Sequence, residues 1–299
     1  MAAFREQATP QVVQRATVVG AGTMGSGIAQ VLATAGIDVT LVDTSPPQLG
    51  RAEEAIGRSL DRLVRRKTVS AADASGTLER IRFTPVLDAS AGADLLVEAV
   101  VEDLATKQRV LAAGAGLFPD SALLVSNTSS ISITALAGGV GGPERVAGMH
   151  FFNPVAVMRL VEVVRGQRTS EATVRSVAAL AERLGKVPVV VNDFPGFVAN
   201  RILLPMLNEA CFALMEGVAS REAIDQVMKL GMSHPMGPLE LADLIGLDVC
   251  LHILEVLHRD LGEDKYRPCP LLRRMVAAGL LGRKSGAGFY EYGEVDRPG

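Results

Sequence analysis

A short apolar strand, Ala16-Thr17-Val18-Val19, runs directly into Gly20-Ala21-Gly22-Thr23-Met24-Gly25, and an apolar helix face (Ile28, Val31, Leu32) follows. A second apolar strand, Val39-Thr40-Leu41-Val42, then ends on Asp43. Strand, glycine turn, helix, strand and acid, in that order, predict a dinucleotide-binding unit. Gly20 permits the tight turn, Gly22 lets a pyrophosphate approach the backbone, and Gly25 lets the helix pack close to the sheet. The free N–H groups and positive dipole end of the helix then face the phosphates, next to Thr23 and Met24. Asp43 stands 18 residues after Gly25, where a carboxylate accepts from the adenine ribose hydroxyls. A carboxylate there repels a 2′-phosphate, and Thr44-Ser45-Pro46 offers no arginine to bind one, so NAD is expected rather than NADP.

Strand and helix patterns alternate through the first two thirds of the 299 residues. A long helix is predicted from Leu49 to Arg66 and another from Thr106 to Leu117. Strands are predicted at residues 81–83, 94–100, 123–127, 145–149, 160–164 and 188–191. The alternation predicts an α/β fold, a Rossmann-type doubly wound sheet, and the close spacing of the later strands predicts an antiparallel extension. After Asn192 the periods become helical. The expected organisation is a tail over residues 1–14, a dinucleotide-binding domain over 15–192 and an all-helical domain over 193–299. Leu203, Leu204, Leu207, Cys211, Leu214 and Met215 share one face of a helix that Pro205 should kink. Ser220 should cap the next helix and Gly231 should end it. These helices are more apolar than about 100 residues of a small domain need, which points to a subunit interface or to stripes that simply pack on each other.

The composition excludes several classes. A net charge of −3 and 4% aromatic residues, without tryptophan, argue against nucleic acid. No apolar run approaches the roughly 20 residues of a membrane helix, and Met1 to Gln14 has no apolar leader core, so a cytoplasmic protein is expected. Three cysteines, Cys211, Cys250 and Cys269, have no metal-like spacing and read as reduced thiols.

His150 ends one predicted strand, and Glu162 interrupts the apolar run Leu160-Val161-Glu162-Val163-Val164. A carboxylate in such a strand is costly to bury without a donor. A hairpin bending near Asn153-Pro154 would set Glu162 beside His150 as an acid–base dyad, since a carboxylate orients an imidazole and stabilises its protonated form. From spacing alone, a solvent-facing glutamate and a core histidine fit equally well. Ser126-Asn127-Thr128-Ser129-Ser130 follows a strand whose carboxyl end should line the ligand crevice, with Ser130 also placed as a helix N-cap. Asn200 opens the helical domain, either facing the cleft or capping a helix.

Taken together, these motifs resemble the 3-hydroxyacyl-CoA dehydrogenase family in its short, 3-hydroxybutyryl-CoA dehydrogenase-like form. The resemblance covers about residues 14–292. It rests on Gly20–Gly25, Glu98-Ala99-Val100-Val101-Glu102-Asp103, Ser126–Ser130, His150-Phe151-Phe152-Asn153-Pro154, the run from Asp193 to Arg201, and the run from Gly282 to Tyr290. It implies reversible NAD-dependent oxidation of an (S)-3-hydroxyacyl-CoA, with His150 as base and Glu162 as its partner. Ser129 would touch substrate and cofactor, and Asn153 and Asn200 would surround the reacting carbonyl and the nicotinamide. Asp43, Glu102, Lys107 and Lys284 would contact the cofactor, and Ser59 and Arg66 the CoA moiety. A homodimer through the helical domain is also implied. Two other readings compete: a related dehydrogenase of a free 3-hydroxy acid or of a sugar acid such as L-gulonate, and a non-catalytic NADH-binding protein.

Overall fold

The computed structural model describes residues 10–293. It divides into two compact units, Met1–Asp193 and Phe194–Gly299. The first runs β1 (Arg15–Val19), α1 (Thr23–Thr34), β2 (Asp38–Val42), α2 (Pro46–Arg65), α3 (Ala71–Glu79), β3 (Ile81–Thr84), β4 (Leu95–Glu98), α4 (Leu104–Leu117), β5 (Leu123–Ser126), α5 (Ile133–Ala137), β6 (Val146–Phe151), β7 (Leu160–Arg165), α6 (Glu171–Arg183) and β8 (Val187–Asn192). The strands form one sheet in the order β3-β2-β1-β4-β5-β6-β7-β8. All neighbours are parallel except β6 and β7. This is the expected doubly wound sheet with its antiparallel extension. Every residue of β4, β5 and β6 is buried, which is why these strands read as nearly unbroken apolar runs rather than alternating ones.

The order reverses between β1 and β4, which creates a switch point. There the ends of β1, β4 and β5 lie side by side, with Val19 opposite Glu98 and Glu98 opposite Ser126.

The second unit is helical: α7 (Ala199–Met215), α8 (Arg221–Gly231), α9 (Pro238–Ile245), α10 (Leu247–Leu261) and α11 (Pro270–Ala277). Leu204, Leu207, Leu239, Leu247, Leu254 and Leu272 centre its core. Pro205 lies inside α7. Ser220 caps α8 by accepting from Ala223 N–H. Ile202, Val218, Val227 and Leu230 remain exposed.

Several expectations need correction. The long helix begins at Pro46, not Leu49, because the two prolines suit a first turn whose N–H groups lack helical partners. The helix α3 is an addition to the expected elements, and Thr77 is its buried residue. Of the tail expected over 1–14, residues 1–9 lie outside the described residues, but residues 11–14 are held. Gln11 N–H donates to Ser176 Oγ, Gln14 N–H donates to Asp94 Oδ2, and Val13 is buried. The helix after the serine run is capped by Ser132, whose side chain accepts from Ala135 N–H, and not by Ser130. Asn200 is not the N-cap of α7 either, since the helix starts at Ala199 and its N-cap is Val198, which offers no side-chain acceptor.

Candidate active site

The glycine turn is built by close contacts. Gly20 has φ +103, and a Cβ there would lie 2.5 Å from the carbonyl oxygen of Ala99. A Cβ on Gly25 would lie 1.7 Å from the carbonyl oxygen of Gly20. Gly22 differs, because a Cβ there meets nothing within 4 Å. The space in front of Gly22 is therefore open, at the start of α1. That end has no side-chain cap and no acid in its first turn. Uncapped amides beside an open glycine form a cradle for an anionic phosphate. Thr23 is exposed and Met24 half-buried at the same end.

Asp43 braces the cradle. Its Oδ2 accepts from Ala21 N–H at 2.9 Å and its Oδ1 from Ser45 N–H at 2.9 Å. A carboxylate has lone pairs beyond these two, so it can still accept from a diol. Gln48 donates to the Ala21 carbonyl at 2.7 Å. The cradle, the carboxylate and the absence of an arginine at residues 44–46 fit NAD.

Beside the turn lies a charge cluster in which Glu98 and Lys107 are buried and Glu102 reaches the surface. Glu98 and Lys107 are 0% and 1% exposed. Lys107 Nζ reaches Glu98 Oε1 at 2.8 Å, the Val100 carbonyl at 3.2 Å and Glu102 Oε2 at 3.1 Å. Three acceptors match the three donors of an ammonium. Glu102 Oε1 gathers the loop after β5, accepting from Thr128 Oγ1 at 2.6 Å, Ser129 N–H at 3.1 Å, Ser130 N–H at 3.2 Å and Ser130 Oγ at 3.0 Å. Burial works to raise the Glu102 carboxyl. The Lys107 charge and the hydrogen bonds from Thr128, Lys107 and Ser130 outweigh it and hold the group below its ordinary range.

The expected hairpin forms. His150 in β6 stands directly opposite Glu162 in β7 in the antiparallel register. His150 Nδ1 lies 2.8 Å from Glu162 Oε2, and both residues are buried. With Glu162 ionised, Nδ1–H donates and Nε2 is the basic nitrogen. Phe152 packs against the imidazole with ring centroids 4.6 Å apart. Asn127 Oδ1 accepts from Phe151 N–H at 2.9 Å and ties the end of β6 to the loop after β5.

Asn153 is exposed in the turn after β6, and Ser129 is half-buried. Ser59 is half-buried on α2, and Arg66 is exposed just past its end. Asn200 and Lys284 belong to the second unit. Asn200 sits in the first turn of α7, and Lys284 pairs with Asp248 at 2.5 Å. Sequence reasoning gave no role of its own to Glu98 and took Ser126 only as one of a run of hydroxyls at the ligand crevice. The signal was present, since Glu98 closes an apolar strand as anomalously as Glu162 interrupts one.

Residues 15–194 match the 3-hydroxyacyl-CoA dehydrogenase NAD binding domain, and residues 196–292 match the 3-hydroxyacyl-CoA dehydrogenase C-terminal domain. The chain is 56% identical over 276 residues to a probable 3-hydroxybutyryl-CoA dehydrogenase of Deinococcus radiodurans, covering 92% of this chain and 99% of that protein. It is 51% identical over 282 residues to a probable 3-hydroxybutyryl-CoA dehydrogenase of Bacillus subtilis, covering 94% and 98%. Among solved structures it is similar to (S)-3-hydroxybutyryl-CoA dehydrogenase from Ralstonia eutropha. That similarity has a TM-score of 0.91 at 47% identity and covers 95% of this chain and 100% of that one. The chain belongs to the 3-hydroxyacyl-CoA dehydrogenase family.

Proposed function

We propose that this protein interconverts short-chain (S)-3-hydroxyacyl-CoA and 3-oxoacyl-CoA with NAD, and that His150 and Glu162 are its acid–base pair. The reading is carried by one observation: a buried imidazole and a buried carboxylate lie 2.8 Å apart in the dinucleotide-binding unit. When bound, NAD supplies the acceptor for the hydride that leaves C3. His150 Nε2 takes the hydroxyl proton in oxidation and returns it in reduction. Glu162 holds the ring by its Nδ1–H and stabilises the imidazolium. Ser129, Asn153 and Asn200 orient the oxygen at C3 and polarise it. Gly20, Gly22, Thr23, Met24, Gly25, Asp43, Glu102, Lys107 and Lys284 hold the cofactor, and Ser59 and Arg66 hold the CoA moiety. Ser59 lies on α2 and Arg66 is the residue that closes it, seven positions on, so the two stand about two helical turns apart on the same side of the helix. Lys107 contributes through Glu98 and Glu102, which already occupy its ammonium.

The substrate class is supported by the relatives, which are named as 3-hydroxybutyryl-CoA dehydrogenases. The first unit is the NAD-binding domain, and the second serves substrate binding and dimerisation. The exposed Ile202, Val218, Val227 and Leu230 support a homodimer through that unit. The buried free thiols of Cys211, Cys250 and Cys269 suit a reducing cytoplasm. No helix of the described residues is long and apolar enough to cross a membrane.

The test is NADH oxidation with acetoacetyl-CoA beside free acetoacetate and a gulonate oxidation assay. Turnover of the thioester alone is expected. Turnover of a free acid instead moves the assignment to the related acid dehydrogenases. NADH binding without turnover of any acyl-CoA points to a non-catalytic protein.

A further inference from the structure

Five side chains and one backbone amide close a ring around the end of β4. Glu98 Oε1 meets Lys107 Nζ at 2.8 Å, and Lys107 Nζ meets Glu102 Oε2 at 3.1 Å. Glu102 Oε1 accepts from Thr128 Oγ1 at 2.6 Å, and Thr128 N–H donates to Ser126 Oγ at 3.1 Å. Ser126 Oγ then donates back to Glu98 Oε2 at 2.5 Å. Glu98 also accepts from Val100 N–H at 2.7 Å, so the ring is anchored to the backbone that packs behind Gly20. It joins the end of β4, the first turn of α4 and the end of β5.

Such a ring is an expensive way to gain stability. One ammonium serves two carboxylates, and removing charged groups from water costs as much as their attraction returns. Apolar side chains would fill the same space without that cost. What the ring supplies is position, because Glu98, Lys107, Ser126 and Thr128 are buried with their polar groups partnered, and such networks fix a single geometry. The loop that the ring holds carries Ser129, whose N–H donates to Glu102.

We infer that Glu98 is a positioning residue: through Lys107–Glu102 on one side and Ser126–Thr128 on the other, it sets the loop that presents Ser129 to the substrate. The inference rests on the proposed contact of Ser129 with substrate.

The experiment is steady-state reduction of acetoacetyl-CoA by NADH with wild type, E98Q, S129A and the double variant. E98Q keeps the shape of the side chain and removes its charge. In E98Q, kcat should fall about 10- to 100-fold, with KM changed less than about 3-fold, within what a small misplacement of a positioned group can cost. In the S129A background the E98Q factor should shrink below about 3-fold, because coupled positions are not additive. A general loosening of the fold would cost the same factor in both backgrounds, and that result overturns the inference. So does a folded E98Q with wild-type kcat, and so does an S129A variant with wild-type kcat. If E98Q does not fold, S126A carries the same test. It keeps every charge in the ring and removes one link, for an expected loss of about 3- to 10-fold that again vanishes with S129A. Failure of the wild-type enzyme to reduce acetoacetyl-CoA at all is a separate result, which overturns the proposed function itself and this inference with it.

Discussion

His150 and Glu162 are direct cross-strand partners, 12 residues apart in sequence and 2.8 Å apart between Nδ1 and Oε2. Residues opposite each other in an antiparallel pair share one face of the sheet. A slip of one residue in register would turn Glu162 to the other face. Both faces of β7 are buried, so it is the pairing with β6, rather than burial of the valines, that sets Glu162 opposite His150.

Replacing either partner should separate chemistry from binding. His150→Gln should bind NADH with nearly the wild-type Kd and lose turnover by at least the roughly 10²–10⁴ typical of a general acid–base group. Glu162→Gln should retain fold and binding and lose turnover within the same rough range, since the amide still accepts from Nδ1–H but no longer stabilises the imidazolium. Fluorescence titration with NADH and stopped-flow reduction of acetoacetyl-CoA check both. Undiminished turnover in His150→Gln would refute the assignment.

The glycines of the turn should fail in different ways. Gly25→Ala places a methyl group 1.7 Å from a backbone oxygen, so the turn itself must move. A loss of about 3 kcal/mol or more is expected, visible as a lowered Tm or as insoluble protein. Gly22→Ala meets no atom within 4 Å, and φ there is −70, which any residue adopts. Its Tm should stay close to wild type while the NADH Kd rises about 10-fold, or about 1.4 kcal/mol. Equal Tm losses in both variants would refute the open cradle in front of Gly22.

Much of this was legible in the sequence, for identifiable reasons. The glycine turn announces itself because only glycine fits at Gly20 and Gly25, and the buried strands announce themselves as apolar runs. The hairpin was legible because one carboxylate stands against an apolar strand. By contrast, α3 left no trace, since Thr77 is its only buried residue and no apolar stripe forms. The helix cap was misplaced by two residues because Ser129, Ser130 and Ser132 look alike locally. What distinguishes Ser130 is Glu102, 28 residues earlier, which binds both its N–H and its hydroxyl. Such long-range partners have no local signature, and the roles of Glu98 and Ser126 were hidden for the same reason.

Cofactor choice should respond to the charge on Asp43. Asp43→Asn keeps an acceptor for Ala21 N–H or Ser45 N–H and removes the repulsion of a 2′-phosphate. The ratio of kcat/KM for NADPH to that for NADH should rise by about 5-fold, the size of the roughly 1 kcal/mol between two charges at about 4 Å in water. Parallel assays with the two reduced cofactors measure it. An unchanged ratio would place discrimination elsewhere.

Glu102 should make stability depend on pH in the acid range. Its folded-state carboxyl lies below the ordinary value of 4.5, although burial alone would raise it, because Lys107 and the donors of the serine loop favour the ionised form. A depressed carboxylate stabilises the fold fully above its unfolded pKa and loses that contribution as pH falls through the folded value. Wild type should therefore lose stability progressively below about pH 4.5, where the unfolded chain takes up the proton first. In Glu102→Gln this proton uptake is absent. The variant should be less stable than wild type by about 1–3 kcal/mol at pH 7, the cost of weakened bonds to a charged acceptor. The gap should narrow as the pH falls from 5 towards 3, because only wild type gives up stability there. Denaturant unfolding at a series of pH values reads this directly. A gap that stays constant across the acid range would mean that the carboxylate at residue 102 is not held ionised by Lys107 and the serine loop.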